Sequence, residues 1–335
     1  MRALLLALGL AVAGWSVWWY VAANGRTAGL TDWLAERSAE GWVAEAGEIA
    51  TSGYPNRIDT RIEDLSLANP DVGWAWSAEA FEILSLAYDR SHYILAWPGA
   101  QTFGSPEERV TVTGATLRGS VVFEDRATLA LDRSAIEAED VMIESTAGWR
   151  MTLAQAQLNT RRAAEGAAPG AAHEVALSRA RDLTLPAPLK DLLDPADLMP
   201  EAVQSAEFDV TLSFDAPWDR QAVESVGPEL VGFAVRRFQA QWGEVALGLR
   251  GRVVADASGR AEGALDITAR NWRTMIRLAA NSGALDPVIA DAVEQALGLI
   301  ALISGDRDTI EVPLRFSGGT MRLGPVPIGD APRLN

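Results

Sequence analysis

Alternation of apolar and polar residues with a period of two is the strongest pattern in the chain, and it predicts β-strands. The stretch 53–97 opens with turn-forming residues at 53–56, and positions 58, 60 and 62 then carry Ile, Thr and Ile. Leu65 and Leu67 occupy the other parity, so we expect a β-bulge at Glu63-Asp64. The pattern predicts a meander of short strands joined by tight turns.

The second half of the chain alternates more regularly, which is typical of antiparallel strands that bury one face and expose the other. We expect the apolar face to be either a closed core or a cradle for lipid acyl chains. The candidate lipid-facing residues are Phe208, Val210, Leu212, Phe214, Val245, Leu247, Leu249, Ile310, Val312, Leu314 and Phe316.

Helical signals are fewer. Thr31 predicts the cap of a short helix that ends at Gly41, and the segment 190–203 carries a helical pattern broken by proline. Asp286-Pro287 predicts the start of a helix over 286–303. Its apolar stripe is expected to pack on the sheet and not on a membrane, because its polar face has no Lys or Arg; the stripe is Ile289, Val293, Ala296, Ile300 and Ile303. The fold class is therefore mainly β with a few helices (α+β), built on curved antiparallel sheets.

The N-terminus predicts a membrane anchor. Residues 3–23 carry no charge and are long enough, at about 20 residues, to cross a bilayer as a helix. Arg2 favours the cytoplasmic side, and we expect an aromatic cluster at the opposite membrane interface, formed by Trp15, Trp18, Trp19 and Tyr20. This places a single-pass protein in the inner membrane with its body in the periplasm. The alternative is signal cleavage after Ala13, which would secrete the body into the periplasm but leaves a short apolar core.

Composition shifts suggest a division of the chain near its middle. Residues 162–172 form a low-complexity linker rich in Ala and Gly. We therefore expect an anchor at 1–26, a β-rich half at 27–161, the linker, and a second β-rich half at 173–335. The run 181–185 echoes 63–67, which suggests a weak internal duplication.

Charge and composition narrow the function classes. The net charge of −16 disfavours nucleic acid as a partner, because phosphate backbones are bound by clustered Lys and Arg. With no cysteine, the chain can form neither a disulfide nor a Cys-based metal site.

No motif points to catalysis. The two histidines, His92 and His173, have no partner at metal-ligand spacing, and we interpret both as surface or strand-end residues. A nucleophile elbow, a phosphate-binding loop and a dinucleotide fingerprint are all absent from the sequence. We therefore predict no catalytic, cofactor-binding or metal residue, no cofactor, and a protein that is not an enzyme.

Three segments carry a family resemblance: GYPNRIDTRIEDLSLANP, WSAEAFEILSLAYDRSHYILAWPG and EVPLRFSGGTMRLGPVPIG. They resemble an alphaproteobacterial family known as domain of unknown function 2125 over most of the chain, which implies an envelope location and no catalytic residue. More remotely, the anchor, the Gly53-Tyr54-Pro55 entry and the closing strands through Gly329 resemble proteins of the AsmA and TamB type. That resemblance implies a curved sheet that carries phospholipid along an apolar groove.

The leading hypothesis is an inner-membrane-anchored periplasmic β-rich protein that binds lipid or maintains the envelope, with the membrane and phospholipid as partners. About a dozen strands at ~4.8 Å spacing span only about 60 Å, so lipid bridging would need other envelope proteins. The alternative is a structural or interaction module with a closed core. A hydrolase is the third hypothesis.

Overall fold

The fold is mainly β. The computed structural model describes residues 1–89, 91–125, 127–164, 171–224 and 227–335. Strands make up 51% of it and helices 23%, which confirms the predicted fold class. The chain forms two compact units, one of residues 1–126 and 136–148 and one of residues 127–135 and 149–335.

The first unit contains one long helix and a set of antiparallel strands. Strand β3 pairs with β1, β2 and β4; β4 also pairs with β5 and β6, and the ladder continues through β5–β8, β6–β7 and β7–β9. The elements are α1 (Arg2–Ala39), β1 (Val43–Glu45), β2 (Ile49–Ser52), β3 (Arg57–Asn69), β4 (Trp74–Leu86), β5 (His92–Ala96), β6 (Gln101–Gly104), β7 (Arg109–Thr113), β8 (Thr116–Phe123) and β9 (Leu131–Ser145), whose first residues belong to the second unit.

The second unit is an antiparallel meander in which each strand from β10 to β18 pairs with the next one along the chain. Among the described residues, four helices interrupt it at three places. The elements are β10 (Arg150–Arg162), β11 (Ala171–Thr184), α2 (Ala187–Leu193), β12 (Ala202–Phe214), α3 (Arg220–Glu224), β13 (Leu230–Trp242), β14 (Val245–Ala255), β15 (Ala261–Arg270), α4 (Trp272–Asn281), α5 (Pro287–Ser304), β16 (Thr309–Ser317), β17 (Thr320–Leu323) and β18 (Val326–Asp330).

Helix α1 is continuous from Arg2 to Ala39, so the predicted separate helix beginning at Thr31 is wrong. The Thr31 hydroxyl donates to the carbonyl of Thr27, one turn earlier, and does not cap a new N-terminus. Gly25 and Gly29 lower helix propensity but lack the steric clash by which proline ends a helix. The apolar N-terminal segment therefore runs directly into the part of the helix that packs on the first unit.

The other helices differ from prediction in detail. Only 187–193 is helical near the predicted 190–203 segment, and α4 has no counterpart in the sequence reading. The start of α5 is confirmed, since Asp286 accepts from the backbone N–H of Val288 at 2.8 Å. Its buried stripe is rotated from the predicted one, and Ile303 is 87% exposed; the buried residues are Ala290, Val293, Leu297 and Ala301.

The parity switch predicted in β3 occurs at Asp64, which has a left-handed backbone conformation with φ +48°. Ile62 and Leu65 consequently lie in one buried cluster. The register with β4 is nevertheless the same on both sides, because Asp64 and Glu79 drop out of the ladder together. The predicted extra residue relative to β4 is therefore wrong, although the position of the switch is confirmed.

The echo between 63–67 and 181–185 has a backbone counterpart. Asp182 in β11 is also left-handed, with φ +51°, and like Asp64 it is followed by a leucine. The internal duplication itself stays a prediction.

Within the predicted linker, residues 165–170 lie outside the described part of the chain. Its two described ends belong to β10 and β11, which pair with each other inside the second unit, with Arg162 opposite His173. The two compact units divide after residues 126, 135 and 148. The division of the chain at the linker stays a prediction.

Two glycines allow the backbones of the paired strands β14 and β15 to approach each other closely. Gly251 and Gly263 have φ of +143° and +139°, in a region that L-residues with a side chain rarely adopt. A Cβ on Gly251 would lie 2.2 Å from the carbonyl oxygen of Ala264. The ladder at this point therefore requires glycine.

We expect Gly251→Ala to lower the free energy of unfolding by about 3 kcal/mol or more, because backbone strain adds to a clash with main-chain atoms. Gly248→Ala in the same strand is the control, since its Cβ would approach Thr268 no closer than 3.6 Å. Urea unfolding of the full chain in detergent measures both. Equal stability of the two variants would contradict the close approach.

Candidate functional site

Cross-strand register aligns the apolar residues of the second unit on one face of the meander. One column contains Phe208, Phe238, Leu249, Ile267 and Val312, each opposite the next. Two parallel columns run beside it; they are Val175, Val210, Val235, Gly251, Leu265 and Leu314, and His173, Leu212, Phe233, Val253, Gly263 and Phe316. We name these three sets of residues the apolar columns.

Burial changes along the apolar columns. In β15 and β16, α4 and α5 pack over the sheet in a cluster that includes Trp272, Val293 and Leu297, and Val312 there is 3% exposed. In β11, β12 and β13 the column residues other than His173 are only half-buried. Helix packing therefore closes one end of the apolar face and leaves the other end partly accessible.

The predicted lipid-facing residues divide between these two environments. The structure buries Val245, Ile310, Val312 and Phe316. The others are half-buried; they are Phe208, Val210, Leu212, Phe214, Leu247, Leu249 and Leu314. Most of the candidates thus share one face, and the first group belongs to core packing.

A hollow of about 840 Å³ lies against β12–β16. Leu247, Leu249 and Val312 contribute to its lining. It is also lined by charged residues, which are Arg237, Arg250, Asp266, Arg270 and Glu311. The hollow thus includes four residues of the first apolar column, Phe238, Leu249, Ile267 and Val312, but its charged residues make it resemble a polar groove more than an acyl-chain pocket.

On the face opposite the apolar columns, a β-bulge places Arg236 in an ion-pair network. The register of β13 shifts between Val235 and Phe238, and the Arg236 guanidinium lies 2.5 Å from Asp209 and 2.8 Å from Glu174. Arg161 also pairs with Glu174. Hydrogen bonds from Arg236 and then Arg161 lower the pKa of the Glu174 carboxyl below its ordinary value.

His92 is the first residue of β5, which confirms its interpretation as a surface or strand-end residue. His173 is the third residue of β11 and is 6% exposed, so it lies near a strand end and not on the surface. His92 is half-buried, and its Nε2 lies 2.9 Å from the Ser120 hydroxyl. Within the described ranges, no group of three His, Cys, Asp or Glu residues could hold a metal ion.

Helix α1 is long and apolar enough to cross a membrane, or to act as a signal sequence. Its predicted interface residues have different surroundings in the structure. Trp19 is buried and donates to the carbonyl of Arg57 at 2.6 Å, and Trp15 donates to the carbonyl of Pro55 at 2.9 Å. Trp18 and Tyr20 are exposed. Trp15 and Trp19 therefore contact the chain at residues 55–57 directly.

A family model described as "uncharacterized protein conserved in bacteria (DUF2125)" matches residues 19–332. The chain belongs to this family. No curated protein and no solved structure matches it. The DUF2125 match begins within α1 and ends after β18, so it includes most of both compact units. Its description states no activity, and function must be inferred from the geometry of the chain.

Sequence reasoning found the apolar face of this DUF2125 protein because alternation reports it directly. It missed the contacts of Trp15 and Trp19, since no local pattern tells which side of an apolar helix meets a distant turn. It also missed the network at Arg236, because the bulge that positions this arginine depends on cross-strand register.

We expect the Glu174 network to make the DUF2125 chain sensitive to acid. The lowered folded-state pKa means that Glu174 stabilises the fold above its ordinary value of 4.5 and loses this contribution as pH falls through the folded value. Glu174→Gln should therefore lose less stability than the wild type between about pH 5 and pH 3, measured by urea unfolding.

Glu207→Gln is the matched control, since Glu207 pairs with Arg237 at 3.2 Å on two exposed side chains. It should follow the pH dependence of the wild type more closely. An unchanged pH dependence in Glu174→Gln would show that the network contributes nothing to stability.

Proposed function

We propose that the protein is a single-pass inner-membrane protein with a periplasmic body, and that the half-buried part of its apolar columns binds phospholipid acyl chains. The observation that supports this most is the change in burial along the columns. Side chains such as Phe208, Val210 and Leu212 form a contiguous apolar surface that is only partly covered, whereas soluble proteins rarely expose large apolar patches. Acyl chains are suitable ligands to cover such a surface.

The remote likeness to AsmA and TamB proteins favours the same proposal, because those proteins combine an N-terminal anchor with an apolar sheet face. The positive-inside rule supports a periplasmic body, with Arg2 on the cytoplasmic side of the span. The proposal assigns the chain a binding role in the envelope and no catalysis.

The competing function is a structural or interaction module of the envelope with a closed core. One observation favours it: α5 carries exposed apolar residues on the side away from the sheet, among them Leu299 at 64% and Leu302 at 65% exposure. Such a surface suits another envelope protein. In this case the columns would be a closed core, covered by the chain's own helices, and would hold no lipid.

Topology is tested with protease added to intact spheroplasts. We expect digestion of everything beyond residue 40 without lysis, because the proposal puts both units outside the cytoplasmic membrane. Alkaline carbonate should leave the undigested protein in the membrane fraction. Cleavage only after lysis would contradict the periplasmic placement.

Lipid binding is tested with Leu212→Asp. Because Leu212 is half-buried, we expect the variant to keep its melting temperature within a few degrees and to lose bound phospholipid, as read by native mass spectrometry after detergent exchange. The control is Gln239→Asp, because Gln239 is exposed and follows Phe238 in β13, so its side chain lies on the opposite face. This variant adds the same charge away from the columns and should retain lipid.

Val253→Asp provides a second comparison, because Val253 is 1% exposed and the new carboxylate should unfold the chain. If Leu212→Asp unfolds in the same way and the wild type brings no lipid, the columns are a closed core. The structural module then replaces the lipid-binding proposal.

A further inference from the structure

Helix α1 has two parts that differ in their surroundings. Residues 1–14 are exposed on all sides, and from Trp15 onward one stripe packs against the strands and turns of the first unit. The stripe recurs every three or four residues, as one face of a helix does; its members include Ser16, Trp19, Ala23, Thr27, Leu30 and Leu34. It begins well inside the charge-free segment 3–23, so residues 16–23 are both apolar span and docking surface.

This overlap fixes how deep the first unit lies if α1 crosses a bilayer. At 1.5 Å per residue, Ser16 lies about 20 Å from the start of a hydrocarbon layer that is about 30 Å thick. The Ser16 hydroxyl lies 2.8 Å from the hydroxyl of Tyr54, so the turn at 53–56 reaches about 10 Å into the outer leaflet. Tyr54 is 51% exposed.

By the same measure Arg26 lies about 5 Å beyond the hydrocarbon, at the level of lipid head groups. One guanidinium nitrogen donates to the carbonyl of Ile58 at 3.1 Å, and the group lies 5.7 Å from the centre of the Tyr93 ring. These contacts hold a planar cation with several donors at the depth of lipid phosphates.

A pocket of about 470 Å³ adjoins this arginine. Below Arg26 it is lined by apolar residues at acyl-chain depth, Trp18, Val21 and Ala22, and its wall includes Gly25 and Tyr93. The volume lies within the range of about 300–1,000 Å³ typical of small-molecule sites. The pocket thus has a cationic end and an apolar end along the membrane normal, which complement the phosphate and the acyl chains of a phospholipid.

We propose that this pocket binds one phospholipid of the outer leaflet, with its phosphate at Arg26 and its first acyl carbons against Trp18, Val21 and Ala22. The site lies wholly in the first unit and does not involve the apolar columns. It depends on one part of the proposed function, the passage of α1 across the membrane.

Two helical glycines provide a matched test. Nothing lies within 4 Å of a Cβ built on Gly25 or Gly29, so leucine fits the helix at either position. Of these two glycines, only Gly25 lines the pocket. We expect Gly25→Leu to fill the pocket and lower phospholipid occupancy about tenfold, while Gly29→Leu leaves the occupancy unchanged. Native mass spectrometry of full-length protein with added phosphatidylglycerol measures the occupancy.

Arg26→Gln should lower occupancy to a similar extent, because it removes the charge that meets the phosphate. Melting temperatures of all three variants establish that each is folded. Inorganic phosphate at millimolar concentration should not displace the lipid. Displacement by phosphate, or equal occupancy in Gly25→Leu, Arg26→Gln and the wild type, would overturn the proposal.

The experiment also separates this site from the apolar columns. Leu212→Asp should leave the Gly25-dependent lipid in place. If Leu212→Asp alone removes every bound lipid, the pocket proposal fails and the column proposal stands. If topology mapping places α1 outside the membrane, the pocket proposal fails for that reason.

Discussion

Cross-strand register is the constraint on which the second unit depends. Successive residues of a strand point to opposite faces, so a slip of one residue in any ladder would move its column residues into the polar face. The bulge in β13 introduces such a change, and the columns continue beyond it only because Arg236 takes up the extra position on the polar side. Its pairs with Asp209 and Glu174 hold that arginine in place, so the polar face stabilises the alignment of the apolar one.

The first unit depends on a different interaction, the packing of α1 on β3 and its neighbours. Threonine hydroxyls connect the helix to the strands, from Thr27 to Thr51 and on to Thr60. Ile58 packs against Trp19 and Ala23 in the same region. An apolar helix that only anchored the chain would need none of these contacts, so α1 belongs to the fold as well as to the proposed membrane span.

Much of the architecture could be predicted from alternation, because strand parity is local: Phe208 to Phe214 already show which side is apolar. The start of α5 was equally accessible, since Asp286 and Pro287 carry their own capping chemistry. The burial of single residues could not be predicted in this way, because whether Ile310 or Val312 is covered depends on helices α4 and α5 elsewhere in the chain. For the same reason the pocket beside Arg26 was invisible: it needs Ile58 and Tyr93, which are far apart in sequence from the helix.

The covering of the apolar columns at β15 and β16 has a directional consequence. Trp272, Val293 and Leu297 cover that end, so a hydrocarbon held along the columns would reach them on the side of β11 to β13, where the column side chains other than His173 are half-buried. Loading and release on one side of the sheet would suit temporary hand-over of a cargo and not continuous flow through the unit.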